Sequence, residues 1–115
     1  MAKLGCLNER TIAVHCVALS DRDIELLAES GASVVHCPVS NMRLGCGASP
    51  VVKLLKAGVN VALGTDGAAS ACSLSMFEQM RTAGLIAKGF SQDPTELTVN
   101  QIIRMATING HSYKL

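Results

Sequence analysis

Aromatic residues, an excess of charge of one sign and long apolar runs are all scarce in this sequence. The chain has no tryptophan, one tyrosine and two phenylalanines, and ten Lys and Arg against nine Asp and Glu give a net charge of +1. Such a chain offers neither stacking platforms for bases nor a basic surface, so we expect no nucleic acid and no membrane as partner. No apolar stretch approaches the roughly 18 residues of a membrane-spanning helix, and residues 1–5 lack a signal-like apolar region. We therefore expect a cytoplasmic protein.

The cysteines give no sign of a disulfide framework or of a zinc ribbon. There are five of them, an odd number, and no C-x-x-C pair occurs. A disulfide framework would leave one thiol over, and a zinc ribbon requires closely spaced pairs. We expect reduced, mostly buried thiols that pack as small apolar side chains. The residues concerned are Cys6, Cys16, Cys37, Cys46 and Cys72.

What the sequence does have is a chemically active residue at the end of each of three apolar runs. The runs cover residues 11–14, 33–35 and 59–63, and the residues that follow them are His15, His36 and, within Gly64-Thr65-Asp66-Gly67, Asp66. Helical segments separate the runs, and an order of strand, helix, strand, helix, strand predicts a parallel sheet. In parallel α/β folds the chemistry gathers at the carboxyl ends of the strands. We therefore predict that the three residues share one rim, with His15 and Asp66 facing the same space.

Capping and turn-forming residues set the limits of the predicted elements. The predicted strands cover residues 11–19, 32–38 and 59–63. Ser20 is a good N-cap for the first helix, and Gly31 is a good residue to end it. The other helices are predicted to begin near Pro50, at Leu74 and after Thr98. Residues 39–47 and 67–73 are rich in small and turn-forming residues and are predicted to be loops.

Both histidines have two interpretations. The string Val14-His15-Cys16 returns 21 residues later as Val35-His36-Cys37, which is about the length of a βαβ unit with a short helix. Because neighbouring residues on a strand face opposite sides, each string offers one side chain to a site. Each histidine is either a hydrogen-bonded core residue or part of that site, and the residues alone leave both interpretations open.

Asp66 is the stronger indication of a site. It follows an entirely apolar strand and stands between Gly64 and Gly67, where the backbone can bend closely. An unpaired buried carboxylate is costly, so Asp66 requires a cation, a cluster of hydrogen-bond donors or a metal. The alternative is an N-cap for the next helix, but residues 67–73 intervene and Ser73 is better placed for that role.

Four strings in the sequence together resemble the amidohydrolase superfamily. They are most similar to its branch of methylthioadenosine and S-adenosylhomocysteine deaminases, with guanine deaminase and the triazine hydrolases nearby. The similarity runs from about residue 7 to residue 110. The strings are residues 15–20 (His-Cys-Val-Ala-Leu-Ser), 35–41 (Val-His-Cys-Pro-Val-Ser-Asn), 57–67 (Ala-Gly-Val-Asn-Val-Ala-Leu-Gly-Thr-Asp-Gly) and 105–110 (Met-Ala-Thr-Ile-Asn-Gly).

The resemblance implies an α/β fold that is part of a (β/α)₈ TIM barrel, with parallel strands that match strands six to eight. It also implies a divalent metal, zinc or alternatively iron, and hydrolytic deamination of a purine or related amine-bearing ring such as an adenosine-type nucleoside. Asp66 matches the metal-binding carboxylate of the eighth strand, and His15 matches the sixth-strand histidine that contacts substrate and attacking water. His36 falls on the seventh strand, where it would help to shape the substrate pocket. The chemistry agrees, since metal-bound water loses a proton near neutral pH and the hydroxide can attack the ring carbon.

The sequence also lacks parts that the resemblance requires. It has three histidines, His15, His36 and His111, and neither an H-x-H pair nor an H-x-x-E string. We therefore expect residues 1–115 to be the C-terminal part of a metal-dependent amidohydrolase domain. On its own it should hold no stoichiometric metal and be inactive, because zinc requires three or four protein donors.

Two other interpretations compete with a deaminase fragment. Gly45-Cys46-Gly47 before a helix suggests dinucleotide binding, but Pro50 stands where a third glycine belongs. The second is a non-catalytic α/β fragment that self-associates. We expect a homo-oligomer in any case, because three strands covered on one side leave an open face and open edges. The open face is predicted to be apolar and drawn from Ile12, Val14, Val35, Val61 and Leu63.

Overall fold

The structure is a computed structural model that describes residues 5–112, so residues 1–4 and 113–115 of the predicted domain lie outside the described residues. The strands in this range are β1 (Ile12–Val14), β2 (Ser33–His36) and β3 (Asn60–Leu63). The helices in this range are α1 (Asp21–Ser30), α2 (Pro38–Arg43), α3 (Val51–Lys56), α4 (Ala68–Ala71), α5 (Met76–Ser91), α6 (Val99–Ala106) and α7 (Ile108–His111).

The strands form a parallel sheet in the order β1-β2-β3. Ala13 lies opposite Val34, and Val34 lies opposite Val61. The α/β class and the parallel, adjacent arrangement of the strands are thus confirmed. Because all strands run the same way, their carboxyl ends lie at one edge, where a site was expected.

The helix ends follow their capping residues. Ser20 caps α1 through a reciprocal capping box with Asp23, and Gly31 ends it in the left-handed conformation at φ 70°, both as predicted. Thr98 caps α6 through the same kind of box with Gln101. The long helix α5 begins later than the predicted Leu74, because Ser75 accepts the Glu78 backbone N–H and caps it there.

One face of the sheet packs against helices and forms the core. Val34 and Val61 are fully buried on this face, and they pack with residues of α1, α3 and α6. The helix residues concerned are Ile24, Leu27, Leu54 and Met105. Burial of this apolar layer stabilises the fold through the hydrophobic effect.

The composition predicted for the other face is wrong in two positions. Strand register places Val61 and Leu63 on the same face as Val34, that is, with the helices. The second face instead carries Ile12, Val14, Val35 and Ala62, together with the polar pair Ser33 and Asn60. The error arose because a buried parallel strand is apolar on both faces. The sequence therefore does not show which of its alternating side chains face the helices.

Three segments differ from their predicted structure. The first strand ends at Val14 and not at Leu19, since His15 and Cys16 turn the chain with positive φ. Residues 39–47 are only partly loop, because α2 covers their first half, and α4 forms a single turn within residues 67–73. None of the helices within residues 5–112 is long and apolar enough to span a membrane.

The cysteines are less buried than expected. Cys37 is buried and Cys16 is half-buried, but Cys6, Cys46 and Cys72 are exposed, so the expectation of mostly buried thiols is wrong. Cys16, Cys37, Cys46 and Cys72 are not in disulfides, in agreement with the absence of a framework.

Candidate functional site

His15 and Asp66 face each other across the carboxyl ends of β1 and β3. The distance from His15 Nε2 to Asp66 Oδ2 is 3.9 Å, and both side chains remain partly accessible, at 43% and 28%. The predicted approach of these two residues is therefore confirmed. An imidazole and a carboxylate that share an accessible space are suited to proton transfer or to metal binding.

The backbone at both residues is held in an unusual conformation. His15, Cys16 and Asp66 have φ angles of 70°, 48° and 60°, in the left-handed region that residues other than glycine rarely adopt. The sheet hydrogen bonds continue just past the strands, from His15 N–H to the Val35 carbonyl and from Gly64 N–H to the His36 carbonyl. The chain then turns sharply, and this turn presents each side chain at the rim. Strain of this kind concentrates at functional sites.

Ser40, in the first turns of α2, holds the Asp66 carboxylate. Ser40 Oγ donates to Asp66 Oδ2 at 2.5 Å, and the Gly67 backbone N–H donates to Asp66 Oδ1 at 2.7 Å. These two hydrogen bonds, chiefly the one from Ser40, lower the pKa of Asp66 below its ordinary value. The carboxylate is therefore ionised near neutral pH.

Asn41, the next residue of α2, holds the His15 imidazole. His15 Nδ1 lies 2.9 Å from Asn41 Oδ1, so in the neutral ring Nδ1 carries the proton and Nε2 is a bare acceptor. Nε2 and Asp66 Oδ2 then face each other as two acceptors. A gap of 3.9 Å between two acceptors suits a cation or a proton donor placed between them.

Cys37 and Gly64 pack closely at the turn that carries Asp66. The Asp66 backbone N–H donates to the Cys37 thiol, whose pKa is raised to about 11 by burial and, second, by the Asp66 charge. The thiol is therefore a protonated packing group and not a nucleophile. A Cβ at Gly64 would lie 2.6 Å from Val35 Cγ1 and 3.2 Å from Cys37 Sγ. The turn thus depends on a glycine at this position.

His36 lies at the same rim but belongs to the other side of the sheet. It shares the face of Val34, is 2% exposed and lines a cleft beside α3 and α5. Burial, with a smaller effect of His15, lowers its pKa to about 4. Within residues 5–112 no hydrogen bond joins His36 to His15 or Asp66. A contact between His36 and substrate stays a prediction.

The described residues do not form a complete metal centre. No group of three or more His, Cys, Asp or Glu side chains within residues 5–112 is arranged to hold a metal ion. The assignment of Asp66 as a metal ligand therefore stays a prediction, with His15 Nε2 as the nearest second donor.

Ser40 and Asn41 are the functional residues that sequence reasoning missed. Their string, Pro38-Val39-Ser40-Asn41, helped to indicate a family but was predicted to be loop without a chemical role. A signal was available, because two small polar residues stand four and five positions after His36, close to a strand end. Their partners, 26 residues away in each case, are visible only in three dimensions.

A sequence model described as the amidohydrolase family matches residues 1–113. The chain belongs to the amidohydrolase family. This amidohydrolase chain is 52% identical over 108 residues to a 5'-deoxyadenosine deaminase of Methanothermobacter thermautotrophicus, covering 94% of the chain and 25% of the relative. It is 50% identical over 108 residues to a 5-methylthioadenosine/S-adenosylhomocysteine deaminase of Moorella thermoacetica, with the same coverage of both proteins. The chain thus spans about a quarter of the length of these relatives.

Solved structures show the same relationship. An adenosine deaminase from Xanthomonas campestris with bound zinc superposes with a TM-score of 0.91 at 47% identity, over 94% of this chain and 25% of that one. A guanine deaminase from C. acetobutylicum with bound guanine gives 0.86 at 33% identity, over 96% and 27%. A triazine hydrolase from Arthrobacter aurescens gives 0.84 at 29%, over 93% and 24%. These neighbours confirm the resemblance inferred from the sequence strings.

Proposed function

We propose that this amidohydrolase chain is the C-terminal part of a metal-dependent deaminase of adenosine-type nucleosides, and that β1 to β3 are strands six to eight of its (β/α)₈ barrel. The observation that carries the proposal is the pair His15 and Asp66, facing each other at the carboxyl ends of parallel strands. Relatives that carry deaminase names match nearly the whole chain at about half identity, which supports the same reaction class.

The donor chemistry of the site fits one part of a divalent metal centre. Asp66 would supply a carboxylate oxygen, a ligand that zinc accepts, and His15 Nε2 lies close enough to act beside it. When bound, a divalent metal lowers the pKa of a coordinated water so that hydroxide is available near neutral pH. Zinc is the first candidate and iron the alternative. The remaining donors belong to the three-quarters of the enzyme that this chain does not span.

The residues of this chain have separate tasks in the proposed reaction. Asp66, ionised at neutral pH, accepts a proton from the attacking water and holds the metal. His15 contacts the substrate ring and that water through Nε2, since Asn41 occupies its Nδ1. Ser40 and Asn41 are positioning residues that fix the carboxylate and the imidazole. His36 shapes the surrounding structure from the helix side of the rim.

A chimeric enzyme tests this assignment. The chain would replace the matching 108 residues of the Methanothermobacter 5'-deoxyadenosine deaminase. We expect the purified chimera to bind zinc and to deaminate 5'-deoxyadenosine, measured by the change in ultraviolet absorbance on release of ammonia. A folded chimera that binds zinc but turns over no adenosine-type nucleoside would contradict the proposed substrate class.

Variants of the chimera separate the roles of individual residues. Asp66→Asn should abolish both zinc binding and turnover. Ser40→Ala should lower activity by about 10- to 100-fold, as expected when a group that orients a metal ligand is removed, and Ser40→Thr should restore part of it. Asp21→Asn is the matched control, because Asp21 is an exposed carboxylate whose ion pair is with Lys53. Full activity in Asp66→Asn would refute the assignment.

The isolated chain supports a second candidate function, self-association without catalysis. The observation in its favour is that Ile12 and Val14 on β1 are 40% and 50% exposed. We expect the isolated chain to contain no stoichiometric zinc by elemental analysis and to show no deaminase activity, since its described residues nowhere bring three donors together. Stoichiometric zinc together with turnover that is lost in Asp66→Ala would overturn this expectation.

A further inference from the structure

The two residues that hold His15 and Asp66 lie on a helix that is too short to keep its own place. The helix α2 covers six residues, and isolated helices shorter than roughly 12–15 residues are marginal in water. Ser40 and Asn41 are buried on this helix, and their side chains reach the site only while α2 stays where it is. The position of α2 must therefore be fixed by its neighbours.

The start of α2 has no cap of its own within residues 5–112. Pro38, at the first helical position, has no N–H, and the side chain of the N-cap residue Cys37 makes no hydrogen bond to the helix start. The Val39 backbone N–H lies in the first turn, where the helix itself offers no partner. Since Val39 is buried, this N–H requires an acceptor from elsewhere in the chain.

Gln79 of α5 supplies that acceptor. The Val39 N–H donates to Gln79 Oε1 at 3.3 Å, and Gln79 is fully buried although it stands 40 residues further along the chain. Because a backbone N–H only donates, the side-chain atom that faces it must be the amide oxygen. The helix α5 spans 16 residues and packs against α2, so this bond ties a short helix to a long one.

Core packing alone does not account for an amide at position 79. Within the described part of the chain Gln79 Nε2 has no hydrogen-bond partner, and a buried donor that stays unpaired costs free energy. An apolar side chain of similar length, such as methionine, would avoid this cost. What the amide contributes at this position is its bond to Val39.

We propose that Gln79 is a positioning residue for the site, because it holds the start of α2. Through α2 it keeps Ser40 in contact with Asp66. Through the same helix it keeps Asn41 in contact with His15. This role rests on the proposed function, since Gln79 acts through the two residues that position the proposed catalytic pair. Without the amide, α2 is free to shift and both contacts loosen.

The tautomer of His15 tests the proposal in the chain itself, without metal or turnover. The bond to Asn41 places the proton of the neutral ring on Nδ1, and nitrogen-15 chemical shifts of the ring distinguish the two tautomers. At about pH 8.5, where an ordinary imidazole is neutral, we expect the Nδ1–H form in the wild type. Gln79→Met should convert about half or more of it to the Nε2–H form. Gln79→Glu keeps an acceptor for Val39 and should retain the wild-type tautomer.

Gln101→Met is the matched control, because Gln101 also holds a helix start, but that of α6. Its Oε1 accepts from the Thr98 N–H at 2.8 Å. The control should leave the His15 tautomer unchanged. An unchanged tautomer in Gln79→Met, or an equal shift in Gln101→Met, would overturn the proposal. If Gln79→Met does not fold, Gln79→Asn carries the same test, since its amide is one methylene shorter and ends short of Val39.

The chimeric enzyme separates this proposal from the proposed function. There Gln79→Met should lower kcat by about 10-fold or more, Gln79→Glu should restore most of it, and Gln101→Met should have no effect. An inactive wild-type chimera would contradict the proposed function, while a tautomer shift in Gln79→Met would still support the positioning role. An active chimera in which Gln79→Met changes neither the tautomer nor kcat would overturn the positioning role alone.

Discussion

The site depends on a few residues whose backbone conformation is unfavourable for their type. His15, Cys16 and Asp66 all have positive φ, although none is a glycine, and each costs of order 1–3 kcal/mol in such a conformation. Hydrogen bonds from Ser40 and Gly67 to Asp66, and between Asn41 and His15, offset this cost. The same bonds fix the direction of the two side chains, so stability of the turn and function of the site rest on the same contacts.

Gly64 should tolerate no larger residue. In Gly64→Ala the new Cβ would lie 2.6 Å from Val35 Cγ1, so the turn must shift, and we expect a loss of about 1–3 kcal/mol in the free energy of unfolding. Gly89→Ala is the control, because nothing lies within 4 Å of its Cβ position inside α5. There the substitution should be stabilising, by up to about 1 kcal/mol. Urea denaturation of both variants measures the difference, and equal effects would contradict the close packing at Gly64.

His36 should make the chain sensitive to acid. Its pKa falls from 6.5 to about 4 on folding, mainly through burial, so below pH 6.5 the unfolded chain takes up a proton that the folded chain does not. The free energy of unfolding should therefore fall as the pH drops below 6.5, by about 2 kcal/mol at pH 5, and level off below pH 4. His36→Asn cannot titrate there. Its stability, measured by urea denaturation, should approach that of the wild type as the pH falls. Parallel stability curves from pH 7 to pH 4 would contradict this account.

At the scale of single residues, the sequence indicated His15 and Asp66 as candidate site residues, but not the side chains that hold them in place. His15 and Asp66 were predictable because each follows an apolar strand, and strand ends in parallel sheets are where sites form. Ser40 and Asn41 were not, since a short polar side chain gives no sign of which distant group it will bond. The direction of His36 was also beyond the sequence, because it depends on strand register.

At the scale of elements, capping and turn-forming residues predicted the helix ends that depend only on neighbouring residues. Ser20 and Gly31 define α1 because a capping box and a left-handed terminus need only neighbouring residues. The end of β1 and the helix α2 were missed for the opposite reason. His15 leaves the strand with a positive φ, and its side chain bonds to Asn41 of α2, a partner 26 residues away. Ser40 and Asn41 are turn-forming residues that lie in a helix, where their side chains bond to Asp66 and His15 rather than to their own backbone.

The short helix α7 should be held to the sheet by Asn109. Its side chain donates to the Val61 carbonyl at 2.8 Å, and its own carbonyl accepts from Asn60 Nδ2 at 3.1 Å. Asn109→Ala leaves the carbonyl of the buried Val61 without this donor, so we expect a loss of about 1–3 kcal/mol in the free energy of unfolding. Asn100→Ala, at an exposed position of α6, should change stability by less than about 0.5 kcal/mol. Hydrogen exchange should also show faster opening of α7 in Asn109→Ala only. If both variants behave alike, Asn109 does not hold the helix.

At the scale of the whole molecule, the two sides of the sheet are unequal. Helices cover the Val34 side, whereas the other side exposes Ile12 and Val14 on the edge strand β1. The opposite edge, β3, is partly occupied, because Asn109 bonds to the Val61 carbonyl. The β1 edge is thus the more available one for pairing with another chain, and exposed apolar edge strands favour such pairing.

We therefore expect the isolated chain to form a symmetric dimer through β1. Sedimentation equilibrium at micromolar concentration, with reductant present because Cys46 and Cys72 are exposed, should give about twice the mass of one chain. Val14→Lys places a charge on the proposed contact and should shift the equilibrium to the monomer. Leu85→Lys is the control, because Leu85 is similarly exposed, at 61%, but lies on α5 away from the strand edge. A wild-type monomer at these concentrations would contradict pairing through β1 and would mean that the exposed Ile12 and Val14 do not drive association of this chain.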